Sequence, residues 1–159
     1  MPMANLGKKF EDKVKEDWER TFPTSFFIRL PDQQSRYYGQ SSNICDYIGF
    51  VNKKLFLIEC KETKETTFNF EAKLRQYDKL LEQDNKDDTY PGVLLWFSSF
   101  DIVVWLNISE IKKMKDDGLK SFNVKMVDKC DYLVYNIPAT KMRTYMKCDF
   151  TIFNTIEKG

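Results

Sequence analysis

Cys45-Asp46-Tyr47-Ile48-Gly49-Phe50, then Val51-Asn52-Lys53-Lys54, then Leu55-Phe56-Leu57-Ile58-Glu59-Cys60-Lys61 reads as two apolar runs joined by a polar turn, the pattern of a β-hairpin. Charges stand where the apolar runs should begin and end. Asp46 opens the first run, and Glu59 and Lys61 close the second. A turn centred on Asn52 and Lys53 sets Asp46 opposite Glu59, and cross-strand neighbours have Cβ atoms roughly 4.5–5.5 Å apart. Two carboxylates that close repel unless a cation lies between them. Lys61 falls on the same strand face as Glu59, because side chains alternate with period two. Two acids and a lysine at one spot outline a magnesium-dependent hydrolytic site. The alternative is a salt bridge, in which Lys61 neutralises Glu59 and Asp46 merely starts its strand.

Composition sets the frame. The chain of 159 residues is 42% hydrophobic and 31% charged, which predicts one soluble globular domain rather than a disordered chain. We expect a single domain over 1–159, with a core over about residues 5–128 and 129–159 as a C-terminal extension. No apolar run reaches the ~18–20 residues of a membrane helix, and the first residues lack a signal-peptide pattern. The expected setting is therefore the cytoplasm, with no membrane partner. The 25 basic and 24 acidic residues nearly cancel, so only their arrangement bears on a polyanionic partner. Cys45, Cys60, Cys130 and Cys148 show no metal-ligand spacing, and they read as reduced thiols. Histidine is absent. That removes Ser-His-Asp and Cys-His catalysis and His-ligated zinc, and leaves carboxylates, lysine, tyrosine or bound metal for any hydrolysis.

Along the chain, Leu6, Phe10, Val14 and Trp18 recur at helical spacing, with Asn5 as N-cap. Glu11 shares the Gly7/Val14/Trp18 side of that helix. It either reaches inward to a site or sits at the edge of the stripe and meets water. Ser25 to Leu30 reads as a strand ended by Pro31. Asp32 to Asn43 is a long polar loop in which Arg36, Tyr37 and Tyr38 offer a phosphate donor beside two rings, unless the tyrosines only pack the loop. Asn69 is expected to cap one helix from Phe70 to Gln83, with Gln76 beside its apolar stripe and Lys73, Arg75 and Lys79 opposite. Gly92–Phe97 and Ile102–Leu106 are continuous apolar runs, expected as strands covered on both faces of an α/β core. Ser109 should cap a helix over 110–117 stopped by Gly118. Tyr132–Ile137 is expected as a strand, and Met142, Tyr145 and Met146 as a short helix behind it.

Five of these pieces together resemble a family. Gly7-Lys8-Lys9-Phe10-Glu11, Ile44-Cys45-Asp46-Tyr47, Leu57-Ile58-Glu59-Cys60-Lys61, Gln76 and Gly118-Leu119-Lys120-Ser121-Phe122 are similar, in that order, to segments of RecU-type Holliday-junction resolvases. These belong to the PD-(D/E)XK nuclease superfamily. The likeness runs from about Gly7 to Val127. It implies an α/β, restriction-endonuclease-like core, a mixed central β-sheet flanked by helices. It also implies catalysis by Asp46, Glu59, Lys61, Glu11 and Gln76. Mg²⁺, with Mn²⁺ as substitute, would be held by Asp46, Glu59 and the Cys60 backbone carbonyl. Lys8, Lys9, Arg36, Tyr37, Lys64 and Lys73 are the DNA-binding candidates. The implied partner is a four-way junction, nicked symmetrically by a homodimer. The Pro31-Asp32 pair lies outside the hairpin, so Asp46 is the metal-binding acid in this reading, and Leu30 to Asn43 is the candidate junction-inserting stalk. The family's long basic N-terminal extension is not found. Two other readings stay open: a general, flap-processing or restriction-like endonuclease on the same core, and a non-catalytic DNA-binding recombination accessory.

Overall fold

The computed structural model describes residues 5–31 and 43–158. Helix α1 (Leu6–Thr21) starts at Asn5, whose side chain accepts from the Lys8 amide at 3.0 Å, so the expected cap is present. Its Phe10, Val14 and Trp18 are buried against a sheet. Strand β1 (Phe26–Arg29) follows, then β2 (Tyr47–Val51) and β3 (Lys54–Thr63). Asn52 and Lys53 both take positive φ, 50° and 63°, as a two-residue hairpin turn of the primed type requires. The register runs from Val51↔Lys54 to Tyr47↔Ile58. Asp46, one residue before β2, therefore comes level with Glu59, as expected.

The remaining elements correct several expectations. The segment after β3 forms a short strand, β4 (Thr67–Asn69), and the single helix over 70–83 is instead two, α2 (Phe70–Lys73) and α3 (Tyr77–Gln83). The break lies at Leu74, which leaves helical geometry at φ −115° and ψ 77°. Phe70 and Leu74 are both buried on either side of the turn. The apolar runs form β5 (Thr89–Phe97) and β6 (Ile102–Asn107), as expected. Helix α4 (Ile108–Asp116) begins at Asn107, not Ser109. The Asn107 amide accepts from Trp105 Nε1 and donates to the Glu157 carbonyl, while Ser109 Oγ is buried without a partner among the described residues. Gly118, at φ 91°, follows the helix end.

Strand β7 (Ser121–Asn123) pairs with β4 in a small separate sheet. Only Tyr135–Ile137 of the expected 132–137 strand forms, as β8. The Leu133 amide is occupied by the buried Glu110 carboxylate at 3.1 Å, so it does not enter a ladder. The helix expected around Met142 is a hairpin, β9 (Ala139–Lys141) and β10 (Met146–Cys148), closed by a Met142 amide to Tyr145 carbonyl bond of 2.9 Å. Met146 and Cys148 are buried while Lys147 is exposed. That is period two, not the helical period.

The main sheet has six strands in the order β1-β2-β3-β5-β6-β8, with β3 and β5 parallel and the other neighbours antiparallel. This is the mixed sheet flanked by helices that was expected. One face carries α1, β10 and the C-terminal Phe150, Phe153 and Ile156 over Phe56, Ile58, Trp96 and Trp105. The other buries Leu57, Val93, Leu95 and Leu106 under Leu80, Ile111 and Met114 of α3 and α4. A Cβ on Gly92 would lie 2.5 Å from the Leu106 carbonyl oxygen and the Trp105 ring, so only glycine lets β6 approach there. Among the described residues no helix is long and apolar enough to cross a membrane.

Candidate active site

Strand β3 outlasts β2. Its ladder with β2 ends at Ile58, yet it continues to Thr63 paired only with β5, from Glu59↔Val93 to Thr63↔Phe97. From Cys60 onward one backbone edge of this central strand has no strand partner among the described residues, which is costly unless another group satisfies it. The Asp46 side chain does so, its Oδ2 accepting from the Cys60 amide at 2.8 Å. Asp46 itself is tied down by its own amide to the Ile58 carbonyl, and its carbonyl accepts from Leu30. The aspartate thus stands in a notch between two strands, level with Glu59.

Glu59 is 3% exposed. It hydrogen-bonds with Asp46, and Lys61 Nζ lies 3.0 Å from its Oε2. The Lys61–Glu59 ion pair of the salt-bridge reading therefore exists, and a second carboxylate stands against it. Burial and then the Asp46 charge push Glu59 up to about 8, with Lys61 acting in the opposite direction. Burial raises Asp46 as well, opposed by the Cys60 amide and Lys61. One lysine does not offset a buried acid and a half-buried one side by side.

Glu11 joins from α1. Burial and the Asp46 charge raise its pKa, while its bond to Arg29 and the nearby Lys8 hold it down. The Asp46 charge acts on both Glu11 and Glu59, which links the three acids electrostatically. Helix α1 is pinned here by Tyr47 Oη, which donates to the Glu11 carbonyl at 2.7 Å. Its far half is held by the buried Asp17, which accepts from the Cys148 amide at 2.8 Å and pairs with Arg20.

Arg29 was missed by sequence reasoning. It reaches Glu11 Oε1 with Nη2 and Asp12 Oδ1 with Nη1, each at 2.8 Å, and its guanidinium lies 5.7 Å from the Tyr47 ring centroid. The available signal was an arginine in the otherwise apolar Phe26-Phe27-Ile28-Arg29-Leu30 run.

Of the other candidates, Lys8 alone among the described residues is paired with one of the acids. Gln76 precedes α3, and its Oε1 is buried without a partner among the described residues. Lys8 lies 3.9 Å from Glu11 and 3.6 Å from Asp12. Lys9, Lys64 and Lys73 are exposed on α1, the β3–β4 turn and α2. Arg36, Tyr37 and most of the candidate stalk lie outside the described residues. Among the described residues no three His, Cys, Asp or Glu side chains gather into a metal cage. A metal site here rests on the two carboxylates and backbone oxygen, a donor set that suits a hard cation which keeps several waters.

Comparison with known proteins decides the family. The family model for RecU, Recombination protein U, matches residues 27–148. The chain belongs to this family. Membership supports a nuclease of recombination that resolves Holliday junctions. The RecU match begins after α1, leaving Glu11 outside it, and runs to Cys148, past Val127 where the sequence resemblance stopped. Among solved structures, Hjc from Archaeoglobus fulgidus, a Holliday junction resolvase from an archaeal hyperthermophile, is 18% identical over 82% of this chain and 87% of its own, with a TM-score of 0.44. No curated protein matches.

Proposed function

We propose that the chain is a divalent-metal-dependent endonuclease that nicks four-way DNA junctions, with Asp46, Glu59 and Lys61 at its reacting centre. The observation that carries this reading is the contact of the buried Glu59 carboxylate with the half-buried Asp46 beside one lysine. Such a pair is under-compensated, and a hard cation relieves it. Mg²⁺ fits the oxygen donors Asp46, Glu59 and the Cys60 carbonyl, and Mn²⁺ suits the same set. The carbonyl assignment is supported by the Cys60 amide pointing at Asp46, since the N–H and C=O of one strand residue face the same side. When bound, the ion supplies Lewis acidity toward the phosphodiester and lowers the pKa of a water.

The chain's own residues do the rest. Lys61 holds a fixed positive charge against Glu59, where it orients the attacking water and offsets negative charge developing on the phosphate. Asp46 is locked by the Cys60 amide, so its free oxygen keeps one orientation. Glu11, steadied by Arg29, approaches from the α1 side through Asp46. Gln76 supplies an unsatisfied acceptor from the start of α3. Lys8, Lys9, Lys64 and Lys73 are proposed to contact the DNA backbone. Symmetric nicking of two strands requires two such centres, hence a homodimer, and the proposed setting is the cytoplasm.

The test is cleavage of matched four-way junction and linear duplex with and without Mg²⁺. Paired, symmetric, metal-dependent nicks in the junction alone are expected. Equal cutting of the linear duplex overturns junction selectivity and leaves a general endonuclease. Binding without cutting under any metal leaves a recombination accessory module.

A further inference from the structure

We infer that the β9–β10 hairpin is a second DNA-gripping element, which holds the backbone of a junction arm beside the acid pair through Lys141 and Arg143. The inference rests on the junction-nuclease reading above and assigns to the late hairpin a role that reading does not use.

The hairpin tip lies at the rim of the sheet that carries the acids. Lys141 Nζ is 3.1 Å from Asp101 Oδ1 in the β5–β6 turn, and it stands 5.4 Å from the centroid of the Trp96 ring. Trp96 is the β5 partner of Glu62, the residue after Lys61. Glu62 alternates with Lys61 and faces α1, where its Cβ lies 3.8 Å from a Cβ built on Gly7, so the ring under Lys141 shares the α1 side of the sheet, the side from which Glu11 approaches. The β5–β6 turn is fastened to the same place: the Ser98 amide donates to the Thr63 carbonyl at 2.9 Å, and its hydroxyl donates to Glu62 at 2.5 Å. On the other side of the tip, Lys13 of α1 lies 5.1 Å from the Tyr145 ring centroid. The tip thus bridges α1 and the β5–β6 turn.

Charge at the tip is available. Arg143 is exposed and makes no ion pair among the described residues. The Lys141–Asp101 pair is about half exposed on both sides, and such pairs contribute little, so Lys141 can exchange Asp101 for a phosphate. Lys141 ends β9 and Arg143 lies two residues on, in the bend before Tyr145. The two cations share the tip, and a DNA strand carries a charge every ~3.4 Å of axis, so both can meet one backbone. The tip lies at the same end of the β3–β5 ladder as Glu59 and Lys61, and the chain belongs to the RecU family, so the occupant we assign is DNA rather than an acidic protein surface.

The experiment is equilibrium binding of the full chain to a four-way junction in EDTA across a salt series, for the wild type, Arg143→Glu, Lys141→Glu/Arg143→Glu and the distant control Lys86→Glu. Removing one cation from the phosphate backbone should flatten the slope of log K against log salt by about 1. The double variant should therefore flatten it by about 2 and bind about tenfold more weakly at moderate salt, while Lys86→Glu matches the wild type. An unchanged slope and affinity in the double variant, with the wild type binding normally, overturns the hairpin assignment alone. A wild type that does not bind the junction overturns the junction reading, and the assignment falls with it. Circular dichroism on each variant separates weakened DNA binding from unfolding, and Arg143→Glu, which disturbs no described partner, keeps the comparison decisive.

Discussion

Asp46 Oδ2 accepts from the Cys60 amide at 2.8 Å, so a side chain completes the backbone pairing of β3 where β2 has already stopped. The same carboxylate also touches Glu59. One residue therefore closes an unfinished sheet edge and forms half of an acid pair. Those two duties can be separated by substitution.

Asp46→Asn keeps an acceptor for the Cys60 amide and removes the charge. The variant should fold and bind junction DNA while its cleavage falls by about 10²–10⁴-fold, as expected for removal of a group that acts on the reacting centre. Asp46→Ala leaves the Cys60 amide unpaired at a buried position and should in addition lose about 1–3 kcal/mol of stability. Lys61→Ala should match the asparagine variant, binding the junction without cutting it. Single-turnover cleavage together with thermal denaturation of the three variants checks this.

The acid pair also sets a pH dependence. Folding raises the pKa of Glu59 from 4.5 to about 8, and that of Asp46 above 3.8. A raised carboxylate stabilises the fold while protonated. Its contribution is complete below the unfolded value and disappears as pH rises through the folded one. Metal-free protein should thus lose stability between pH 4.5 and about 8, because the charged pair is then buried and unneutralised. Glu59→Gln should flatten that part of the profile. Millimolar Mg²⁺ should restore stability to the wild type at the alkaline end and not to the variant. Denaturant titrations in EDTA and in Mg²⁺ at pH 5 and 8.5 measure both effects.

The hairpin register was legible because apolar alternation and a two-residue polar turn constrain it from both ends, and Asp46 and Glu59 met where that reading put them. The β9–β10 hairpin was misread because Met142 and Met146, four apart, fit helical and strand spacing alike, and Tyr145 at i+3 completed a helical pattern over so few residues. The split at Leu74 was hidden for a related reason. Phe70, Leu74, Tyr77 and Leu80 fit one helical stripe, and only the core decides that Leu74 breaks it. Arg29 stayed invisible because its two carboxylate partners lie on α1, and a long-range pair leaves no periodic trace.

Arg29 bridges Glu11 and Asp12 with separate guanidinium nitrogens, and an ammonium cannot match that fork. Arg29→Lys should therefore recover only part of what Arg29→Ala loses. The pair is partly solvent-screened, which limits the loss in the alanine variant to about 1 kcal/mol. The clearer readout is Glu11, whose pKa should rise further once its hydrogen-bond donor is gone. Carboxyl-selective NMR titration of the two variants tests this.

Thiol chemistry follows burial. Cys45, Cys60 and Cys148 are buried, and Cys130 is exposed. Burial pushes the Cys45 thiol up to about 12 and raises Cys60 and Cys148 as well. The thiolate is the reactive form. Iodoacetamide at pH 8 should therefore add one carbamidomethyl group, at Cys130, and modify the other three only in denaturant. Intact-mass and peptide mass spectrometry resolve this.

The C-terminal segment fills the core from outside the sheet. Phe153 is fully buried, with ring centroids 4.8 Å from Phe56, 5.1 Å from Trp18 and from Trp105, and 5.5 Å from Phe150. These partners come from α1, β3 and β6, and from the C-terminal segment itself. The tail is also latched by Lys54 to the Ile156 carbonyl and by Asn52 to the Asn154 carbonyl. Because four rings face Phe153, the space it leaves cannot collapse by moving one neighbour. Phe153→Ala should then cost about 3–5 kcal/mol, a large share of a small domain's stability. Phe153→Leu keeps most of the volume and should cost less than half as much. If the alanine variant unfolds at the same denaturant concentration as the wild type, the tail is only draped on the core. A midpoint shift in the order Ala, then Leu, then wild type shows that it is part of the core.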